Sequence, residues 1–311
     1  MSERMKVNRR DFLRTAGLAA GVGMAMHAAA MGQSDSKPPS GQWRIRKTLK
    51  YGMVQGDAPM LEKFKMLREL GFDGVELDAP NNFDLKEVLE ARDKSGLLIN
   101  GVVHATHWTE PLSHPDPKVR EACLEKLKEA LRTAKAYGAT SVLLVPAVVN
   151  EKIGYQEAYE RSQIEIRKAI PVAEETGVVI AFENVWNNFL LSPVEAARYV
   201  DEFESPMIRF HFDIGNVLRY GWPQHWVRTL GKRIFKLDTK GYSIKKHMDQ
   251  GPWKGFGVEI GAPDDDVNYH EVNKALREVG YTDGWIAAEV KGGDRERLAD
   301  ISRRLDDVLS R

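Results

Sequence analysis

Four carboxylates stand where strand-like apolar runs stop. Val178 to Phe182 leads into Glu183 in AFENVWNNFLLSP, MIRFHFDIGN carries Asp213, RIFKLDTK carries Asp238, and GWIAAEV carries Glu289. Acids gathered at one place repel and raise one another's pKa. Lysines can neutralise them, and Lys236 and Lys240 are close in sequence. A divalent cation can do the same, and an all-oxygen donor set favours hard ions such as Mg²⁺ or Mn²⁺. Any one of these acids reads equally well as a strand end or a helix cap. The set of four points to a site.

Whether the four meet depends on the elements that carry them. Strand candidates occupy 49–56, 74–77, 97–105, 141–149, 177–184, 207–216, 233–240 and 284–290. Amphipathic stretches such as APMLEKFKMLRELG and KVREACLEKLKEALRTAKAYG separate them, with apolar residues at helical spacing. Gly71, Gly96, Gly138, Gly177 and Gly280 stand where helices should end. Alternating strands and helices imply a parallel sheet. Eight repeats predict an α/β fold, a closed (β/α)8 TIM barrel whose active site lies at the C-terminal ends of the strands. An open doubly wound sheet is disfavoured, because no Gly-rich phosphate loop follows the first strand. On this placement strand one ends near Gln55 and strand two on Glu76 and Asp78. Strand three ends on His104, with His107 and Trp108 just after it. Strands five to eight bring the four carboxylates to one mouth.

The 311 residues carry 45 Lys+Arg against 45 Asp+Glu, so there is no basic excess to suggest a nucleic-acid partner. The single cysteine, Cys123, excludes an intrachain disulfide and a cysteine-rich metal site, and reads as a core residue of a helix. The N-terminus, NRRDFLRTAGLAAGVGMAMHAAAMG, has Arg9-Arg10, a short Ala/Gly-rich stretch and the small residues Ala28 to Ala30. It reads as a twin-arginine signal peptide over 1–30, cleaved after export to the periplasm by the twin-arginine machinery. The apolar stretch is too short for a stable membrane span. A linker at 31–47 precedes a single-domain barrel at 48–311.

GFDGVEL, FENVWN, FDIGN, GKRIFKLDTK and GWIAAEV together resemble the sugar phosphate isomerase/epimerase group of xylose isomerase-like TIM barrels, over roughly 48–310. The resemblance implies a divalent metal, commonly Mn²⁺, on Glu183, Asp213, the third ligand and Glu289. That third position is usually a histidine, and here it is Asp238, which adds a negative charge. Asn216 is a second departure, standing where many relatives carry a histidine. The implied chemistry is a proton shuttle by Glu183 and Glu289 at the carbon beside a carbonyl, through an enediolate. His104, Trp108, Trp186 and Lys240 are the candidate substrate contacts. Trp186 reads equally as a pocket wall or as loop packing, and His211 either orients a ligand or is a satisfied core histidine. His107 and His114 read as surface loop, and Trp222 and Trp226 as packing a short helix on the barrel. The insertion GPWKGFGVEIGAPDDDVN is a candidate lid.

Export suggests a small-molecule carbohydrate without phosphate as the partner: a free sugar, keto-sugar, glycoside or related polyol. Three other readings stand. One is a lyase on the same barrel, acting like an inosose dehydratase or eliminating an aglycone from a 3-keto-glycoside. The second is a histidine-rich endonuclease IV-like hydrolase, which the neutral charge and Asp238 oppose. The third is a non-catalytic sugar-binding barrel. Dimers and tetramers are frequent in the group, so a homo-oligomer is an open expectation.

Overall fold

A computed structural model describes residues 42–311. The expected signal peptide, and the expected linker up to residue 41, lie outside the described residues. The strands are β1 (Arg44–Leu49), β2 (Gly74–Ala79), β3 (Leu98–His104), β4 (Ser141–Leu144), β5 (Val179–Glu183), β6 (Ile208–Asp213), β7 (Ile234–Thr239) and β8 (Asp283–Ala288). They form one parallel sheet in the order β1-β8-β7-β6-β5-β4-β3-β2. A bridge between Lys50 and Glu76 joins its two ends, and Asp73 N donates to Lys47 O at 2.8 Å beside it. The fold is the expected (β/α)8 barrel.

Seven strands fall on the expected runs, and β1 does not. It occupies Arg44–Leu49, beginning within the expected linker, and the barrel therefore starts before residue 48. The expected run at 49–56 instead starts a short 3-10 turn, Tyr51–Met53. The reason is that RIRKTL hides its strand character behind cations. Arg46 pairs with Asp283 at 3.0 Å and lies 4.7 Å from the ring centre of Trp285. Lys47 Nζ reaches Ser302 Oγ at 2.8 Å and Asp306 at 2.7 Å on the C-terminal helix. Long cationic stems pack along the apolar surface while their heads find acids, so no alternation of apolar residues shows in the sequence.

The helices end as expected. The five glycines named above take positive φ between 68° and 85°, a region open to glycine without a side-chain clash. Cys123 is fully buried on the helix Pro117–Tyr137. Trp226 is buried and stacks on Phe212 at 6.1 Å. Trp222, expected to pack beside it, is 62% exposed, because it is the N-cap residue of its helix and precedes the buried face. Among the described residues, no helix is long and apolar enough to cross a membrane.

Register brings the acids to one level. Glu183 pairs with His211 across β5 and β6, and Asp213 with Asp238 across β6 and β7. Thr239 pairs with Ala288 across β7 and β8, and Glu289 N donates to Thr239 O at 3.0 Å.

Candidate active site and metal centre

The segments FENVWN and FDIGN are stitched together by their amides. Asn184 Nδ2 donates to Asp213 O, and Asp213 N to Asn184 Oδ1, both at 2.8 Å. Asn216 N donates to Asp213 Oδ1 at 2.7 Å, Asn216 Nδ2 to Asn184 O at 2.9 Å, and Trp186 Nε1 to Asn216 O at 2.9 Å. Asn216 is therefore a brace for Asp213. A Cβ on Gly215 would come within 2.6 Å of Lys240, so only glycine lets the loop after β7 approach so closely.

Glu183, Asp213, Asp238 and Glu289 converge, with one oxygen from each lying within 4.8 Å of the others. The first three are buried and the Glu289 side chain is 39% exposed. Lys240, just beyond β7, reaches both sides of this group. Its Nζ is 2.9 Å from Asp213 Oδ2, an ionic contact without hydrogen-bond alignment, and it donates to Glu289 Oε2. Glu183 Oε1 is buried and has no hydrogen-bond partner among the described residues.

A second group adjoins the first through Asp238. Lys50 donates to Glu76 and lies 2.9 Å from Asp238 Oδ2. His211 Nε2 is 2.7 Å from Asp238 Oδ1, which makes His211 the residue that orients the third carboxylate. Asn100 Nδ2 donates to Glu76 Oε1 at 3.2 Å, and Lys236 donates to Asn100 O. A Cβ on Gly101 would sit 2.9 Å from Lys236 Nζ and 3.0 Å from Glu76 Oε1, so the glycine leaves room for these charges.

The two groups differ electrostatically. Burial, then Glu289 and Asp238, push the Glu183 carboxyl well above the ordinary range. Burial also dominates at Asp213, pushed up to about 6, with Lys240 opposing and Glu289 and Asp238 adding. At Asp238 burial acts in the same direction, but His211 and Lys50 overcome it and hold the carboxyl below its usual range. Burial opposes the charge on Lys50 too, yet Asp238 and Glu76 hold its pKa well above the ordinary value. The negative charge that Asp238 brings, where the resemblance leads one to expect a histidine, is thus offset by Lys50.

Two lysines touch four of the five carboxylates, Lys50 on Glu76 and Asp238 and Lys240 on Asp213 and Glu289, which leaves an excess of negative charge beside the unpartnered Glu183 oxygen. An oxygen-only set of this kind fits a divalent cation of the Mg²⁺ or Mn²⁺ type. Glu183, Asp213, Asp238 and Glu289 are the residues that would hold it.

The site opens into a cavity of about 1120 Å³. All four expected substrate contacts, His104, Trp108, Trp186 and Lys240, line it. His104 is fully buried at the end of β3, with neither ring nitrogen partnered among the described residues, and burial lowers its pKa to about 4. His107, expected on the surface, is buried and stacks on His104 at 5.8 Å. Its Nδ1 accepts from Val145 N at 3.3 Å, which draws the loop inward. Burial first, then His104, brings its pKa down to about 3. Trp108 is 49% exposed at the rim. Trp186 is half-buried and serves as both wall and packing residue, in contact with Trp253 and Phe256. The insertion after β7 contributes Trp253, Phe256, Val258 and Glu259 to the lining.

Lys50 is absent from the expected site residues because β1 lies earlier in the chain than expected. With the strand at 49–56, Lys50 falls at the wrong end of the barrel. With the strand at Arg44–Leu49, it is the residue that follows the strand into the mouth. Nothing local in TLKYGM marks it, and only pairing with β8 fixes the register.

An eight-stranded parallel barrel with a ring of acids at its C-terminal mouth is a (β/α)8 protein with a candidate cation-dependent site. The sequence profile described as "Xylose isomerase-like TIM barrel" matches residues 64–307, and the chain belongs to that family. It is 33% identical over 113 residues to a 2-epi-5-epi-valiolone 7-phosphate 2-epimerase of Actinoplanes sp., a match spanning 36% of this chain and only 38% of that relative. It is 26% identical over 258 residues to a 2-oxo-tetronate isomerase of Haemophilus influenzae, covering 77% of this chain and 90% of that one. Among solved structures, D-psicose 3-epimerase from Clostridium cellulolyticum H10 superposes with a TM-score of 0.69 at 16% identity, covering 85% of this chain and 98% of that one. At that identity the likeness is one of fold.

Proposed function

We propose that this protein is a sugar isomerase or epimerase that moves a proton at the carbon beside the carbonyl of a keto-sugar or related polyol. The observation that carries the proposal is the meeting of Glu183, Asp213, Asp238 and Glu289 around the unpartnered Glu183 oxygen. The two curated relatives, named as an epimerase and an isomerase, support the same reading. Glu183 and Glu289 are the acid/base pair. Burial raises the Glu183 pKa, and a carboxyl so raised exchanges a proton nearer neutral pH than an ordinary glutamate. A divalent cation on the four carboxylates would supply charge to the substrate oxygens as the proton leaves. His104 and His107 are held neutral by burial and offer uncharged imidazoles to substrate hydroxyls. Lys240 and Asn216 position Glu289 and Asp213. From the Arg9-Arg10 leader we place the mature protein in the periplasm, and fractionation of cells expressing the full chain tests that placement.

The test of the reaction is deuterium exchange. Protein reconstituted with Mn²⁺ is incubated with ketohexoses in D₂O and the sugars are followed by NMR. Deuterium at the carbon beside the carbonyl, together with an isomeric sugar, is the expected result. Exchange followed by loss of water or an aglycone would replace the isomerase reading with a lyase. No exchange with any ketose would overturn the proton-transfer reading.

A further inference from the structure

The cavity is larger than one sugar needs, and its two sides differ. Pockets for drug-sized ligands run to about 300–1,000 Å³, and this one is about 1120 Å³. The β3 side, with His104 and His107, and the carboxylates below offer hydrogen-bonding groups. The other side carries the large apolar residues Trp186, Trp253, Phe256 and Val258, with Lys240 5.6 Å from the Phe256 ring centre. Trp186 lies 4.7 Å from both Trp253 and Phe256, ring centre to ring centre. Its indole N–H is already donated to Asn216 O, and Arg219 covers its ring at 4.7 Å. Of the charged residues in the lining, Glu259 is paired with Arg297 at 2.8 Å, and Lys240 is held by Asp213 and Glu289. Trp253 remains 71% exposed. An exposed cluster of large apolar rings at a cavity wall marks a binding surface.

We propose that this wall is a second subsite, which binds a flat apolar substituent on the carbohydrate, so that the substrate is an aryl-type glycoside whose sugar ring carries its keto group away from the anomeric carbon. Hydroxyls of a second sugar ring would find few partners there, whereas an aromatic ring gains both burial and offset or edge-to-face contact. The inference rests on the carbohydrate reading above for the ring that lies over the carboxylates.

Calorimetric titration with phenyl β-D-glucopyranoside and methyl β-D-glucopyranoside tests it, on the wild type, Trp253→Ala and Trp253→Phe. The phenyl compound should bind about tenfold tighter or better to the wild type. The ratio should fall to near one in Trp253→Ala and largely return in Trp253→Phe. Equal affinities in the wild type, binding of neither compound, or a ratio unchanged in Trp253→Ala would each overturn the subsite. Deuterium exchange separates this outcome from that of the isomerase reading. Exchange with a phenyl-to-methyl ratio of one removes the subsite alone, and a high ratio without exchange removes the isomerase reading alone.

Discussion

The ring of acids has two halves that the fold treats differently. Around Asp238, every charge has a near partner: Lys50 between Glu76 and Asp238, and His211 on the other Asp238 oxygen. Around Glu183, one oxygen is bare, Asp213 is pushed up to about 6, and Glu289 reaches solvent. The first half holds the third carboxylate in place by charge, while leaving Asp238 Oδ2 without a hydrogen bond among the described residues. The second half is left unfinished by the protein alone, and there an incoming cation, proton or substrate finds something to bind. The comparison teaches that a buried acid is informative less by its burial than by whether its charge is already answered.

The largest expected effect is on the unfinished half. Glu183→Gln should lower turnover by about 10²–10⁴-fold, the usual contribution of a positioned acid/base group, while the urea midpoint stays at or above the wild-type value. A fall in stability equal to the fall in activity would mean that Glu183 is structural. On the first half the effect moves to folding. Lys50→Met leaves Asp238 and Glu76 buried without their cation, and should cost about 3–5 kcal/mol in urea denaturation. Lys240→Met should cost less, since Glu289 is partly solvated. Lys50→Met combined with Asp238→His should regain much of the loss, because the added charge and its counter-charge leave together. If the double variant is as unstable as the single one, Lys50 does not serve to balance Asp238.

The halves should also respond oppositely to pH in metal-free protein. The raised Asp213 pKa gives stability that is full below the ordinary value of 3.8 and is lost as pH rises through about 6. The lowered Asp238 pKa gives stability that is present above 3.8 and is lost as pH falls through its depressed value. Metal-free Asp213→Asn should therefore melt about 2–4 °C above the wild type at pH 7 and level with it at pH 4. Melting curves at the two pH values check this, and a gain of the same size at both would break the contrast. The smallest effect belongs to the rim. Trp108→Ala should change stability by less than about 0.5 kcal/mol while raising KM for a bound carbohydrate.

Much of this was legible in the sequence, and the misses share a cause. Strands β2 to β8 are dense in buried apolar residues, so their runs showed, and so did Glu183, Asp213, Asp238 and Glu289 at or near their ends. β1 has a stretch of cations instead, and its identity comes from pairing with β8 and from acids far along the chain. Losing β1 lost Lys50, and with it the answer to the added charge on Asp238. His107 reads as surface loop in the sequence, yet its ring is held inside by stacking on His104 and a bond from Val145, contacts with no local signature. The role of His211 was open from spacing alone, and the 2.7 Å contact with Asp238 decided it.

The central claim is that the four carboxylates together hold one divalent cation. It is tested most directly by elemental analysis and calorimetric Mn²⁺ titration of the purified protein, wild type beside Asp238→Ala and His104→Ala. About one Mn²⁺ per chain in the wild type and in His104→Ala, with loss of binding in Asp238→Ala, is the expected result. A wild type that binds no divalent cation after reconstitution, or an Asp238→Ala variant that binds it undiminished, would contradict the claim.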